Sequence, residues 1–334
     1  MSELILKCVD VFTIKPFGGN PAGVITAADD LATEALQEIA SGMKMNLVEL
    51  GFVSVSKRKD AAFRIRYFTP SRELETSGHV TIAACFALLE EGRIVLQNGV
   101  TRVVFETDVG IVPVEITFTN DAAPEIAVKK SGNDSIAITG GPNCGILEKI
   151  MIRQPVHRYR PASIPTDELA HVLGIEPIEI TRTGLPVAVA SHDLDWLIIP
   201  VKHRDTILKM KPDLIKLAML NRRHGVQTNH IFTLDSFSAD CISYSRHFGP
   251  AMGLWEDPAS ATASAGLSTY LLEHGVTTTD SMIMEQGKEV GSIARIHIEV
   301  SRDKGRPESV WVGGLAVTSI TRKLDLVSGE VLTT

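Results

Sequence analysis

Three short segments set proton-carrying side chains among residues that would otherwise build a core. Glu49 sits between Leu47 and Val48 on one side and Leu50 and Phe52 on the other. A carboxylate with apolar neighbours is partly stripped of water, which suits general acid–base work at a carbon. The same pattern also fits a glutamate on the outward face of an edge strand. Farther on, Ser77-Gly78-His79 directly precedes an apolar run. Gly78 lets backbone approach a ligand closely, the N–H groups of a helical first turn attract an anion, and His79 can donate to a carboxylate or shuttle a proton. A capping serine beside a satisfied histidine has the same spelling. The third segment is Glu256-Asp257-Pro258-Ala259-Ser260-Ala261-Thr262-Ala263. Asp257 as N-cap and Pro258 at the first helical position predict a helix start, and the small residues leave first-turn N–H groups uncovered. Such a start occurs twice. If the two face each other, two positive helix ends converge on one cleft that would hold a small carboxylate, with Glu49 nearby.

The elements that must position these groups follow from periodicity. Val80–Glu91 and Ala259–Glu273 are apolar nearly all round, and Gly92 and Gly275 follow them. Helices of that kind belong in the centre of a domain. Around the first, strands are expected at Ile5–Thr13, Gly51–Val55, Phe63–Phe68, Val103–Glu106 and Ile111–Phe118, with an amphipathic helix at Leu31–Met43. Around the second, strands are expected at Lys149–Ile152, Val187–Ala190, Leu197–Val201, His230–Leu234, Arg295–Val300 and Val310–Ile320, with helices at Thr166–Leu173 and Asp213–Leu220. Strands wrapped around one helix, twice over, form an α+β pattern rather than an alternating doubly wound one. The expected organisation is a first domain over 1–118, a linker or insertion over 119–148, a second domain over 149–320 and a tail over 321–334. The insertion is marked by Ala122–Pro124, a polar Lys129–Ser135 stretch and Gly140-Gly141-Pro142.

Composition narrows the classes. Thirty-three Lys and Arg against forty Asp and Glu give a net charge of −7, which argues against a nucleic-acid partner. A length of 334 residues suits about two domains, and 44% hydrophobic residues suit a folded globular chain. No apolar run reaches the ~20 residues that span a bilayer, and the N-terminus has no secretory pattern, so a cytoplasmic location away from membranes is expected. Cys8, Cys85, Cys144 and Cys241 are widely scattered, without a CxxC pair or a zinc-ligand spacing, so no metal is expected. Neither GxGxxG nor a P-loop occurs, and no cofactor is expected.

With these residues in view, the chain resembles a known family. FTIKPFGGNPAGVI, MNLVEL, RYFTPSRELETSGHVTIA, TRTGLPVAV, EDPASATASAGL and MEQG are similar, in order and from about residue 8 to 317, to the PhzF-like isomerases. These share the diaminopimelate epimerase fold. The resemblance implies two pseudo-symmetric domains, each a curled antiparallel sheet or barrel around a central helix, with the site in the interdomain cleft. It implies Glu49 as the proton-shuttling acid–base group, with His79 and Asp257 as its catalytic companions. Asn20, Ser77, Gly78, Ala261 and Thr262 fall at substrate-binding positions. A cofactor-independent isomerase, acting on a small carboxylate and assembled as a homodimer, is what the resemblance implies. In the phenazine-pathway member the glutamate moves a proton between carbons of dihydro-3-hydroxyanthranilate.

The sequence departs from the family pattern at named places. The usual DPATGSA reads DPASATA, so Ala261 stands for a glycine and Thr262 for a serine. Ser77 stands for the common alanine, where related epimerases carry a cysteine. Neither it nor residues 257–262 offer a thiol, which argues against a two-thiol racemase. An epimerase with Glu49 and Asp257 as bases on opposite faces of a carbon is the second enzyme reading, and a small-acid binder without turnover is a third. A hydrolase built on Ser77 or Ser260 lacks the GxSxG turn it would need.

Overall fold

Side-chain alternation and all-round apolarity both return as real elements in the computed structural model, which describes residues 4–43, 49–120, 135–138, 145–192, 194–291, 293–327 and 330–333. The chain divides into two compact units. One comprises Met1–Arg153 with Gly313–Thr334, and the other comprises Gln154–Val312.

The first unit contains β1 (Leu4–Val11), β2 (Asn20–Ile25), α1 (Thr33–Gly42), β3 (Leu50–Val55), β4 (Phe63–Phe68), β5 (Glu73–Leu74) and α2 (Gly78–Glu90). They are followed by β6 (Gly99–Thr107), β7 (Gly110–Thr119), β8 (Ile136–Ile138) and β9 (Gly145–Gln154). The FRIRYF segment is β4, and its alternation buries Ile65 and Tyr67. β3 pairs antiparallel with β4, β4 pairs antiparallel with β5, and β4 runs parallel to β6. One set of side chains (Leu4, Leu6, Cys8, Ile25, Leu50 and Phe52) packs on Leu36, Ile39 and Ala40 of α1. α2 lies against β1, β2 and β3 and buries every residue from Val80 to Leu89. Each large aliphatic or aromatic side chain so buried is worth roughly 1.5–3 kcal/mol of transfer free energy. An all-apolar helix therefore has one stable place, under its sheet.

The second unit contains β10 (Arg158–Pro161), α3 (Thr166–Leu173), α4 (Pro177–Thr181), β11 (Ala188–Ser191), β12 (Asp195–Pro200), α5 (Arg204–Lys209) and α6 (Leu214–His224). It continues with β13 (Thr228–Thr233), β14 (Ser243–Gly249), β15 (Leu254–Asp257), α7 (Ala261–Glu273), β16 (Ser281–Gln286), β17 (Ala294–Asp303) and β18 (Arg306–Gly314). β13 pairs antiparallel with β14, β14 antiparallel with β15, and β14 parallel with β16. This repeats the β3–β4–β5–α2–β6 arrangement element for element, with α7 in the place of α2. Packing follows suit. Leu169, Leu173, Leu217 and Leu220 of the outer helices cover Leu197, Ile199, Ile231 and Tyr244, while Tyr270 of α7 meets Phe232 of β13 edge-on.

The α+β class is as expected, and the structure corrects three details. The sheets are mixed rather than antiparallel, because β2–β3, β4–β6, β12–β13 and β14–β16 run parallel, and among the described residues they are not closed barrels. Val310–Ile320 is two strands: β18 ends at Gly314, and β19 (Ala316–Val327) turns back to pair with β1. The break at Leu315 frees its carbonyl to accept the N–H groups of Phe12 and Thr13, at 2.7 and 3.3 Å. The second central helix begins at Ala261 with Ser260 as N-cap, not at Asp257. Asp257 is already committed as the last residue of β15, opposite His247. The last strand, β20 (Glu330–Thr333), pairs with β19, and β8 pairs with β9 within the stretch read as insertion. No helix among the described residues is long and apolar enough to cross a membrane.

Candidate active site

Glu49 is placed by its neighbours in the sheet. Its carbonyl accepts the Gly23 N–H at 3.0 Å, from the parallel ladder that sets Gly23 opposite Leu50. Two residues on, Gly51 lets β3 settle onto α2, since a β-carbon there would stand 2.6 Å from the Val80 Cγ1. That close approach brings Glu49 to the start of α2. Ser77, the N-cap residue, donates its hydroxyl to Glu49 Oε2 at 2.5 Å. His79 Nδ1 lies 3.9 Å from the same oxygen and 3.4 Å from Ser77 Oγ. The glutamate and histidine side chains are 23% and 14% exposed, so a ligand can reach them while most bulk water is kept off.

A buried chain steadies this trio from behind. The Thr81 hydroxyl donates to the Ser77 carbonyl at 2.7 Å, so the Tyr67 hydroxyl, 2.7 Å from Thr81 Oγ1, is the donor in that pair. Burial pushes the Tyr67 phenol well above its ordinary value, which keeps it a donor. Chemically, the arrangement fixes one carboxylate oxygen of Glu49 through a short charge-assisted bond. Among the described residues no group bonds the other oxygen, Oε1.

In the second unit, Asp257 Oδ1 accepts the Ala259 N–H at 3.2 Å, and Ser260 Oγ accepts the Ala263 N–H at 3.4 Å. Gln286 reaches both sides of the loop. Its Nε2 donates to the Asp257 carbonyl at 2.7 Å, and its Oε1 accepts the Ser260 N–H at 3.2 Å. Ala261 is buried at the first helical position, and Thr262 is exposed at the second.

The structure thus brings Glu49, Ser77, Gly78 and His79 together in the first unit. Asn20 opens β2 in the same unit, opposite Val11 and 7% exposed. Asp257, Ala261 and Thr262 form a separate group in the second. Residues 45–48 of the MNLVEL segment lie outside the described residues, as do Cys144 and most of 119–148. Sequence reading gave no role to Tyr67, Thr81 or Gln286. Their only signal was membership of the quoted RYFTP, HVTIA and MEQG segments. Cys8, Cys85 and Cys241 are buried free thiols whose pKa burial raises, to about 11 for Cys8 and about 12 for Cys241. None of them has the character of a reactive thiolate. Among the described residues no group of three or more His, Cys, Asp or Glu side chains is arranged to hold a metal ion.

Comparison with known proteins bears on the family and the fold. The profile of the family described as "Phenazine biosynthesis-like protein" matches residues 9–322. The chain is 30% identical over 327 residues to the "Uncharacterized isomerase YfhB" of Bacillus subtilis, covering 98% of this chain and 100% of that protein. It is similar to the crystal structure of the Bacillus anthracis phenazine biosynthesis protein of the PhzF family, with a TM-score of 0.79, 28% identity, and coverage of 97% and 99%. A probable proline racemase from Agrobacterium radiobacter shares the fold at a TM-score of 0.61 and 13% identity, covering 97% of this chain and 93% of that one.

Proposed function

The chain belongs to the phenazine biosynthesis-like family and is an isomerase, and we propose that it moves a proton between carbons of a small carboxylate-bearing metabolite, without a cofactor, using Glu49 as the acid–base group. The observation that carries this reading is the half-buried Glu49 carboxylate, with Oε2 held at 2.5 Å by Ser77 and His79 Nδ1 3.9 Å away.

The chemistry needs one carboxylate. Glu49 Oε1 takes a proton from a carbon whose C–H is acidified by conjugation with a substrate carbonyl or carboxyl. The bonding pair spreads into that conjugated system. The carboxyl then returns the proton to a different carbon and is a carboxylate again, so the substrate's formula is unchanged. Ser77 keeps the carboxylate from rotating between the two steps, and His79 faces the charge that develops on the substrate. The sequence resemblance extends the reading to Asp257 as a second proton-handling group, and to Asn20, Gly78, Ala261 and Thr262 as contacts of the substrate's polar atoms.

The test is turnover in D₂O against a panel of dihydro-3-hydroxyanthranilate, proline and diaminopimelate, followed by mass spectrometry. Wild type should place deuterium on carbon of an accepted acid, while Glu49→Gln, which keeps the shape but cannot accept a proton, should lose roughly 10²–10⁴-fold. Deuterium incorporation by Glu49→Gln at the wild-type rate would refute the assignment.

A further inference from the structure

Gln286 closes β16 and is fully buried. Its carboxamide is committed to one loop of four residues. Nε2 donates to the Asp257 carbonyl at 2.7 Å, and Oε1 accepts the Ser260 N–H at 3.2 Å, so the end of β15 is tied to the N-cap of α7 across Pro258 and Ala259. The strand that carries it is itself anchored. Ser245 of β14 stands opposite Gln286 in the parallel ladder. The buried carboxylate of the preceding residue, Glu285, accepts the N–H groups of Phe237 and Ser238 at 2.7 and 3.3 Å and the Ser238 hydroxyl at 2.5 Å. Three loop N–H groups are occupied: Ala259 by Asp257, Ser260 by Gln286 and Ala263 by Ser260. The N–H groups of Ala261 and Thr262 meet no acceptor among the described residues.

We propose that Gln286 is a positioning residue of the isomerase, whose single amide fixes the Asp257 carboxyl and the first-turn N–H groups of α7 in the geometry that meets the substrate. This rests on the reading that Asp257 takes part in turnover. A carboxamide supplies donor and acceptor from the same rigid plane whatever the pH. An ionised carboxylate accepts only, and a thioether supplies neither at useful strength. A carboxyl introduced here by Gln286→Glu restores the donor–acceptor pair when protonated and sets a negative charge against the Asp257 carbonyl when ionised.

The prediction follows from that asymmetry. Gln286→Met should keep a cooperative melt yet lower kcat by about 10–100-fold, the scale expected for a misplacement near 1 Å. Gln286→Glu should be as impaired at pH 8 but recover toward the wild-type kcat as the pH is lowered to 5.5. A side chain that merely filled space would give no such recovery. Turnover is read as deuterium incorporated from D₂O into dihydro-3-hydroxyanthranilate, proline or diaminopimelate. Hydrogen exchange of the peptide spanning residues 257–263 is read in parallel and needs no substrate. It should quicken in Gln286→Met, and in Gln286→Glu slow again at low pH after correction for intrinsic rates. Wild-type kcat and KM in Gln286→Met, with Asp257→Asn impaired, would overturn the role of Gln286 alone. Wild-type turnover by Asp257→Asn would instead overturn the underlying reading. If none of the three acids is turned over, unchanged exchange at 257–263 in Gln286→Met overturns the inference, and quickened exchange with acid recovery in Gln286→Glu upholds it. Should Gln286→Met fail to fold, the pH series of Gln286→Glu decides between the same outcomes.

Discussion

The starts of α2 and α7 are built alike and used differently. Each helix has 13 residues, each follows a short strand on the edge of β4 or β14, and each has a serine as N-cap. Ser260 spends its hydroxyl locally, accepting the Ala263 N–H as a capping serine does. Ser77 makes no such bond; its hydroxyl instead donates to Glu49 Oε2. One duplicated motif therefore stabilises its own helix in the second unit and holds a carboxylate in the first. A second contrast lies behind the helices. The first unit sets the Tyr67–Thr81 hydroxyl pair behind its site. The second sets His230 and His247 side by side, Nδ1 to Nδ1 at 3.3 Å, with Trp196 stacked edge-on to both.

That second contrast makes the largest stability prediction. Burial holds His247 neutral and lowers its pKa from 6.5 to about 4, and His230 is lowered by burial and by its neighbour. A lowered base is protonated first in the unfolded chain. Stability should therefore fall as the pH drops below about 6.5, and the share of the loss that belongs to His247 is complete below about pH 4. For His247 alone the loss is of the order of 3 kcal/mol, at ~1.4 kcal/mol per pKa unit. Trp196, Trp255 and Trp311 all lie in the second unit, so urea melts followed by their fluorescence should show the loss, and His247→Gln should flatten it. A flat profile between pH 6.5 and 4 in wild type would remove the contrast.

The serines give the next two effects. Ser77→Ala frees Glu49 Oε2 and should lower kcat by roughly 10–100-fold, the scale expected for a misplacement near 1 Å. Ser260→Ala removes a cap, and should cost about 1 kcal/mol of stability with a rate change under about threefold. If the two substitutions exchanged their effects, the division of labour would be wrong.

How far the sequence disclosed this plan depended on the range of the interaction. The all-apolar runs of α2 and α7 and the alternation of β4 are local, and were legible. Glu49 and His79 each carry a local signal, apolar flanks for one and a helix start for the other. Those signals fit an edge-strand glutamate and a capped helix equally, and only the family resemblance joins the two residues as catalytic companions. The start of α7 was misread because Asp257-Pro258 is a strong local helix signal overridden from a distance, by pairing with His247 and by the Gln286 amide. The bond from Ser77 to Glu49 spans 28 residues, and that from Gln286 to Asp257 spans 29. No periodicity records either contact. The return of β19 to β1, joining the two ends of the chain, is hidden for the same reason.

The central claim is that one carboxylate both takes and returns the proton. It is tested most directly with an accepted acid carrying deuterium at the donor carbon, turned over in ordinary water and sampled at low conversion. A single half-buried base should return part of the label to the acceptor carbon in the wild-type product, and Glu49→Gln should form that product at least about 100-fold more slowly. Product formed by Glu49→Gln at the wild-type rate would contradict the account.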